Sequence, residues 1–442
     1  MFESTISPPE LSLTDQLRQA VQKCDTFPAL VSVESNLPPL AWLRAQSDDV
    51  KLCWSNRDSD EVIVGSGVAA NVIGRDDESV DDILNRCRSI LNGCDDLRFF
   101  GGFSFRRDTE PRGAWQKFDR SQFWLPRLFA DNGTIGCVVL NPNDVPLAVE
   151  AVSKMKAVAD SSIVSIEQFT ERQDIPDEPL WNYMINDAIG LFEKEVLEKI
   201  VLARRADFRF AQALDPVSLI SKLREATPAC YHFCFQLNSR LAFVGATPER
   251  LFTRRESRLL SEVVAGTRRR GENAKADQAL EAELLNSSKD QLEHDIVRKS
   301  IRQRLHKLVD SLEVDSKASI LKLARKQHLY SSVQASLKPD VTDGQLFDTL
   351  HPTPAVGGYP VENALTEIDR LEPFDRGWYA APIGWVSPDE AEFAVAIRSG
   401  LINDNVLSLY SGAGIVPGST PSQEWDEIEH KISDFLDVMD SN

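Results

Sequence analysis

The segment that most limits what this chain can become lies near its C-terminus: Ser411-Gly412-Ala413-Gly414-Ile415-Val416-Pro417-Gly418-Ser419-Thr420-Pro421-Ser422-Gln423-Glu424-Trp425-Asp426-Glu427-Ile428-Glu429-His430-Lys431. It reads as the end of a strand, a glycine-rich loop and a marked helix start. Thr420 suits the N-cap, Pro421 the first helical position, and Gln423 a capping box. Trp425, Ile428, Ile432, Phe435, Leu436 and Met439 then recur at helical spacing and face a core. Glu424, Glu427 and Lys431 stand at i, i+3 and i+7 beside that apolar face. A glycine-lined loop and a helix N-terminus favour an anion. Two adjacent carboxylates could hold a hard divalent cation through oxygen. An ordinary amphipathic helix with Glu427 and Lys431 as an i, i+4 pair fits the same residues.

A net charge of −19 excludes the basic footprint that nucleic acid requires. It also repels anions at long range, so an anion site must bring its own cations. The seven cysteines are scattered without zinc-site spacing and read as small buried hydrophobes in a reducing compartment. Met1-Phe2-Glu3-Ser4 lacks the basic and apolar regions of a signal peptide, and no apolar run approaches the roughly 20 residues that cross a bilayer. A cytoplasmic protein without membrane or nucleic-acid partners is expected.

Residues 1–156 read as an N-terminal subdomain of short helices and strands, including an amphipathic helix over 80–93. The aromatic run Phe99–Phe105 carries Gly101 and Gly102, which let another backbone come close. No nucleophile, metal set or phosphate loop is evident there. The polar stretch 157–179 reads as a connection, and 180–442 as the catalytic region. In the latter, a helix from about 179 to 197 gives way to the strand-like Lys199-Ile200-Val201-Leu202-Ala203-Arg204. Lys199 shares a face with Val201 and Ala203, so it either snorkels outward or is held inside for a purpose. Glu249 follows a strand end at Thr247-Pro248. One helical stretch is expected over 276–309, carrying Glu293. Residues 378–416 read as an antiparallel meander. In its middle strand, small Ala394 and Ala396 lead to Arg398, which suits either bidentate capture of a carboxylate or a surface ion pair.

Together, in this order and spacing, these pieces resemble the chorismate-utilising enzymes: isochorismate synthase, salicylate synthase, and the synthase components for anthranilate and aminodeoxychorismate. The resemblance covers about 180–438 through KIVLAR at 199, GATPE at 245, AGTR at 265, EHD at 293, QHL at 327, HPTPA at 351, EPFDR at 372, AIRS at 396, GAGIV at 412 and EWDE at 424. Phe100-Gly101-Gly102-Phe103 is similar to the family's N-terminal signature. Asp295, where some relatives carry glutamate, and Leu292 in place of histidine depart from the pattern.

The resemblance implies an α+β fold with large antiparallel sheets flanked by helices and a deep central site for chorismate, a dianion. It implies a Mg2+ cofactor held by Glu293 and Glu427, with Glu424 supporting the metal. Lys431 and the loop at Gly412 and Gly414 would help hold the ring carboxylate. Arg398 and Tyr379 match the grip on the enolpyruvyl carboxylate, and Gly266, Thr267, His328 and Ala355 match positions around the ring. Isochorismate formation adds water at C2 and expels the C4 hydroxyl, so it needs a base and an acid at opposite ends of the ring. Lys199 matches the base and Glu249 the acid. A free lysine near ~10.4 must be brought to about 7–8 for that task, roughly 4 kcal/mol of differential stabilisation, whereas Glu249 needs a dry pocket to keep its proton.

Lysine at position 199 disfavours the ammonia-using relatives, and Ala265 stands where one type of aminodeoxychorismate synthase places a nucleophilic lysine. Ala355 stands where salicylate synthases tend to have threonine. Isochorismate synthase is the expected activity. Salicylate synthase is the alternative within the family, and a non-catalytic chorismate-binding protein the alternative outside catalysis. Menaquinone and siderophore supply both remain open, the chain length fitting the former. A monomer is expected, with a dimer as the other possibility.

Overall fold

The computed structural model describes residues 11–160, 162, 166–323 and 325–440. Every strand pairing among them is antiparallel, and one continuous path of neighbours runs through both halves of the chain. It starts at Lys199–Arg209, passes through Val406–Ile415, Ser399–Asn403, Leu241–Thr247 and Tyr231–Asn238, and enters the N-terminal region at Lys51–Ser55. It continues through Val62–Ile73, Ser121–Ala130 and Phe99–Phe103, then returns through Pro382–Val386, Glu390–Val395 and Arg250–Arg255 to Arg258–Arg269 and Lys326–Leu337. Helices flank this sheet, giving the α+β architecture. The two ends of the path meet around one cavity. Val201, Gly412 and Gly414 line it from the first end, and Gly266, Thr267 and His328 from the last.

The N-terminal strands are therefore spliced into the same sheet as the catalytic strands. Gly101 shows why glycine is needed at one splice: a Cβ there would stand 2.0 Å from the Gln122 carbonyl oxygen. The helix Val80–Leu91 forms as its pattern requires, with Ser79 and Asp82 closing a capping box. Within 157–179, Glu171–Ile175 adds an edge strand to Lys199–Arg209. Among the described residues no helix is long and apolar enough to cross a membrane.

Two expected elements come out differently. The single helix over 276–309 is two, Ala274–Asn286 and Ser288–Leu305. Ser287 breaks it, because its hydroxyl accepts from the Asp290 N–H at 3.3 Å and so starts a new helix instead of continuing the old one. The meander over 378–416 is also broken. Strand structure begins at Pro382, not Trp378, and the middle strand splits into Glu390–Val395 and Ser399–Asn403. Arg398 between them has a φ of 51°, outside the range a strand can use.

That break has a partner. Leu241–Thr247 pairs with Ser399–Asn403, and Arg250–Arg255 with Glu390–Val395. Two long neighbouring strands thus kink together, one at Pro248-Glu249 and the other at Ala396–Arg398. Proline has no N–H for the ladder and forces the first kink. The gap is stitched by Val395 N–H to the Glu249 carbonyl at 3.0 Å, Ala246 N–H to the Arg398 carbonyl at 3.1 Å, and the Thr247 hydroxyl to the Val395 carbonyl at 2.7 Å. Glu249 and Arg398 reach the cavity from these adjacent kinks.

Candidate active site

The cavity has a volume of about 300 Å³ and is lined by Glu249, Gly266, Thr267, Glu293, His328, Ala355, Tyr379, Arg398, Gly412, Gly414, Glu424, Glu427 and Lys431. Lys199 lies just behind this wall. It is fully buried, and its Nζ sits 2.8 Å from Glu293 Oε1. A Cβ on Gly414 would meet Glu293 Oε1 at 2.7 Å and Lys199 Cε at 3.1 Å, so only glycine leaves room for that pair. The lysine is thus held inside and does not snorkel. Its strand is anchored from below by Glu372 and Arg376, a buried pair at 2.5 Å. Glu372 accepts the Ala203 N–H at 2.7 Å, and Arg376 donates to the Val201 carbonyl at 2.8 Å.

Glu249 is 6% exposed. Burial, helped by the nearby charge of Glu262, pushes its carboxyl up to about 8 against the opposing charges of Lys199, Arg398 and Lys431. It therefore keeps its proton near neutral pH, as a donor must.

Opposite signs are paired across the remaining wall. Lys431 Nζ lies 2.8 Å from Glu427 Oε1 and donates to the Gly412 carbonyl at 2.8 Å. Lys289 Nζ lies 2.9 Å from Glu424 Oε1. Each of the three carboxylates expected at a metal thus carries a lysine partner. Burial works against the charge of Glu427, yet the Lys431 ammonium holds its carboxyl below the usual value. Burial pushes Glu424 up, with the charge of Glu427 adding to the effect.

His328 connects two further groups. Its Nε2 lies 2.8 Å from Arg398 Nη2, and its Nδ1 lies 2.9 Å from Thr267 Oγ1. A guanidinium can only donate, so Nε2 accepts and Nδ1 carries the proton given to Thr267. Burial, then the charge of Arg398, drives the imidazole well below its ordinary pKa and keeps it neutral. Arg398 is thereby aimed into the cavity beside Tyr379, whose ring stacks on Tyr410 at 5.4 Å between centroids.

Residues 15–440 match the sequence family described as chorismate binding enzyme. The chain belongs to that family. Isochorismate synthase 2, chloroplastic, of Arabidopsis thaliana is 32% identical over 448 residues, covering 93% of this chain and 80% of its own. Isochorismate synthase MenF of Escherichia coli is 31% identical over 445 residues, covering 97% and 98%. The solved structure of MenF, the menaquinone-specific isochorismate synthase from Escherichia coli, superposes with a TM-score of 0.85 at 30% identity over 97% and 98% of the two chains.

In this chorismate-binding enzyme several site residues escaped the sequence reading. Lys289 is the clearest. It stands four residues before Glu293 on the same helix, so i, i+4 geometry places both on one face, and that spacing was the available signal. Arg268 and Asp290, paired at 2.9 Å, form part of the rim. Within the Glu293-His294-Asp295 run only Glu293 faces the cavity. His294 is buried against Ser331 at 2.8 Å, and Asp295 pairs with Arg298 outside. The two departures from the family pattern, Leu292 and Asp295, both point to solvent, which explains why they are tolerated.

The donor set at Glu293, Glu424 and Glu427 is all carboxylate oxygen, the chemistry a hard divalent cation takes. Glu424 Oε2 is buried with no hydrogen-bond partner, an acceptor left open on that wall. Among the described residues no three acidic, histidine or cysteine side chains already converge on one point where an ion could sit. The residues fit a cation by the chemistry of their donors.

Proposed function

We infer that this chain is an isochorismate synthase that converts chorismate to isochorismate by adding water at C2 and expelling the C4 hydroxyl. The observation that carries this reading is Glu249, a carboxyl at the cavity wall that keeps its proton near neutral pH. Hydroxide is a poor leaving group, and a proton delivered to the C4 oxygen lets it depart as water. Lys199 is the group to accept the proton of the incoming water. Its Nζ lies 2.8 Å from Glu293 Oε1, and its role as base requires the neutral amine.

Arg398, with Tyr379 beside it, takes the enolpyruvyl carboxylate, while His328 and Thr267 hold the guanidinium in register. Gly266, Thr267, His328 and Ala355 border the ring. Gly412 and Gly414 leave the space that the ring carboxylate occupies, with Lys431 at its edge. Glu293 and Glu427, supported by Glu424, would hold Mg2+. Bound there, it would add positive charge for the ring carboxylate to that of Lys431, in a chain of net charge −19. The near end-to-end match to MenF favours the menaquinone branch.

Incubation with chorismate and Mg2+, followed by chromatography, tests the assignment. Isochorismate alongside residual chorismate is the expected product mixture. Stoichiometric pyruvate would assign the salicylate reaction instead, and no conversion would remove the catalytic reading.

A further inference from the structure

Arg57 lies in the loop after Lys51–Ser55, in the half of the chain where the sequence shows no chemistry, yet its guanidinium reaches the turn that carries Glu249. Nη1 donates to the Pro248 carbonyl. Nη1 and Nη2 also grip the two carboxylate oxygens of Glu262 at 2.6 and 2.8 Å. The side chains of Arg57 and Glu262 are 7% and 0% exposed. Glu262 accepts the Arg250 backbone N–H at 2.8 Å, and the Arg250 guanidinium lies 3.7 Å from its other oxygen. The backbone on either side of Glu249 is therefore tied to one buried, bidentate ion pair. Burying two charges contributes little to net stability, because desolvation offsets their attraction. Bidentate geometry does fix orientation closely.

We infer that Arg57 and Glu262 are positioning residues for Glu249: they fix the Pro248–Arg250 turn and so the place from which its carboxyl meets the cavity. The charge of Glu262 also bears on Glu249, and Arg57, paired with Glu262, offsets part of that charge. The inference rests on the reading of Glu249 as proton donor. After burial, the charge of Glu262 is the largest influence raising the Glu249 carboxyl. Lys199, Arg398 and Lys431 oppose it from their own elements, and the Tyr379 hydroxyl is near enough to feel the Glu249 charge. The N-terminal half thus enters the site as a support for the acid, through a contact 191 residues distant in sequence.

The test follows Glu249 directly in the full ligand-free chain, by infrared difference titration of its carboxyl against Glu249→Gln. The pH profile of kcat/KM is measured in parallel. The basic limb of that profile reports loss of the donor proton. Glu262→Gln is expected to lower both the Glu249 midpoint and the basic limb by on the order of one pH unit. Arg57→Gln, which leaves Glu262 less compensated, is expected to raise both. Arg57→Lys keeps the charge and loses the two-pronged grip, so it should hold the basic limb near wild type while lowering kcat/KM, and the acidic limb should not move in any variant. A scaffold role alone lowers activity without shifting the limb in opposite directions. If Arg57→Gln does not fold, Glu262→Gln and the double variant carry the test. An unmoved Glu249 midpoint in Glu262→Gln overturns the inference. Should the wild type leave chorismate unconverted, the functional reading fails, and the infrared titration still decides whether this pair controls Glu249.

Discussion

Replacing Glu249 by glutamine separates what the folded chain loses by burying this carboxyl from what the reaction gains. In the folded state the group is raised from 4.5 to about 8, first by burial and then by Glu262. The folded chain therefore binds a proton that the unfolded chain releases across that interval. Stability is highest below the unfolded value and declines as pH climbs toward the folded one. At about 1.36 kcal/mol per pH unit the decline amounts to at most about 5 kcal/mol. Glutamine matches the shape and is neutral at every pH, so Glu249→Gln lacks this decline. Urea unfolding of both chains at about pH 5 and about pH 8.5 reads the difference. The variant is expected to match wild type at the lower pH and exceed it at the higher one, while chorismate turnover is lost. A stability difference that is the same at both pH values would refute the argument that Glu249 is buried with its proton.

Gly414→Ala should leave the fold intact and suppress turnover by at least tenfold, because its Cβ intrudes on Glu293 and Lys199; unfolding curves paired with initial rates check it. Glu293→Gln strands the buried Lys199 ammonium, and a loss of about 3–5 kcal/mol in denaturant unfolding is expected. Stripping divalent cations with a chelator should abolish turnover and readdition of Mg2+ should restore it; a rate that persists without metal would remove Glu293 and Glu427 from that role.

The parts of the site legible in sequence are those whose geometry is local. Gly412, Gly414, Glu424, Glu427 and Lys431 sit on one strand–loop–helix unit, and strand and helix periodicity alone places them together. Gly101 was readable for the same reason, since a missing side chain in an aromatic strand signals a close backbone. Alternation leaves Lys199 open between surface and interior, because it gives the face of a strand but not what covers it. The paired kinks at Pro248-Glu249 and Ala396–Arg398 were not legible. Small residues alternating up to Arg398 suggested an unbroken strand, whereas Arg398 reaches the cavity through a left-handed residue that breaks it. The split at Ser287 is not legible because serine is tolerated within helices, and only the Asp290 N–H bound to its hydroxyl shows it capping. The lysine partner of Glu424 and the grip of Arg57 on the Glu249 turn depend on contacts across 135 and 191 residues, which no local pattern encodes.

With Glu249 as proton donor and Lys199 as base, solvent water enters at C2 as the C4 hydroxyl departs. Conversion of chorismate in ¹⁸O-labelled water, followed by mass spectrometry of the isochorismate formed, reads out where the new oxygen comes from. One labelled oxygen per product molecule, located on the C2 hydroxyl, is the predicted result. Isochorismate that carries no label would mean the original hydroxyl migrates within the substrate, and the acid–base assignment of Glu249 and Lys199 would be contradicted.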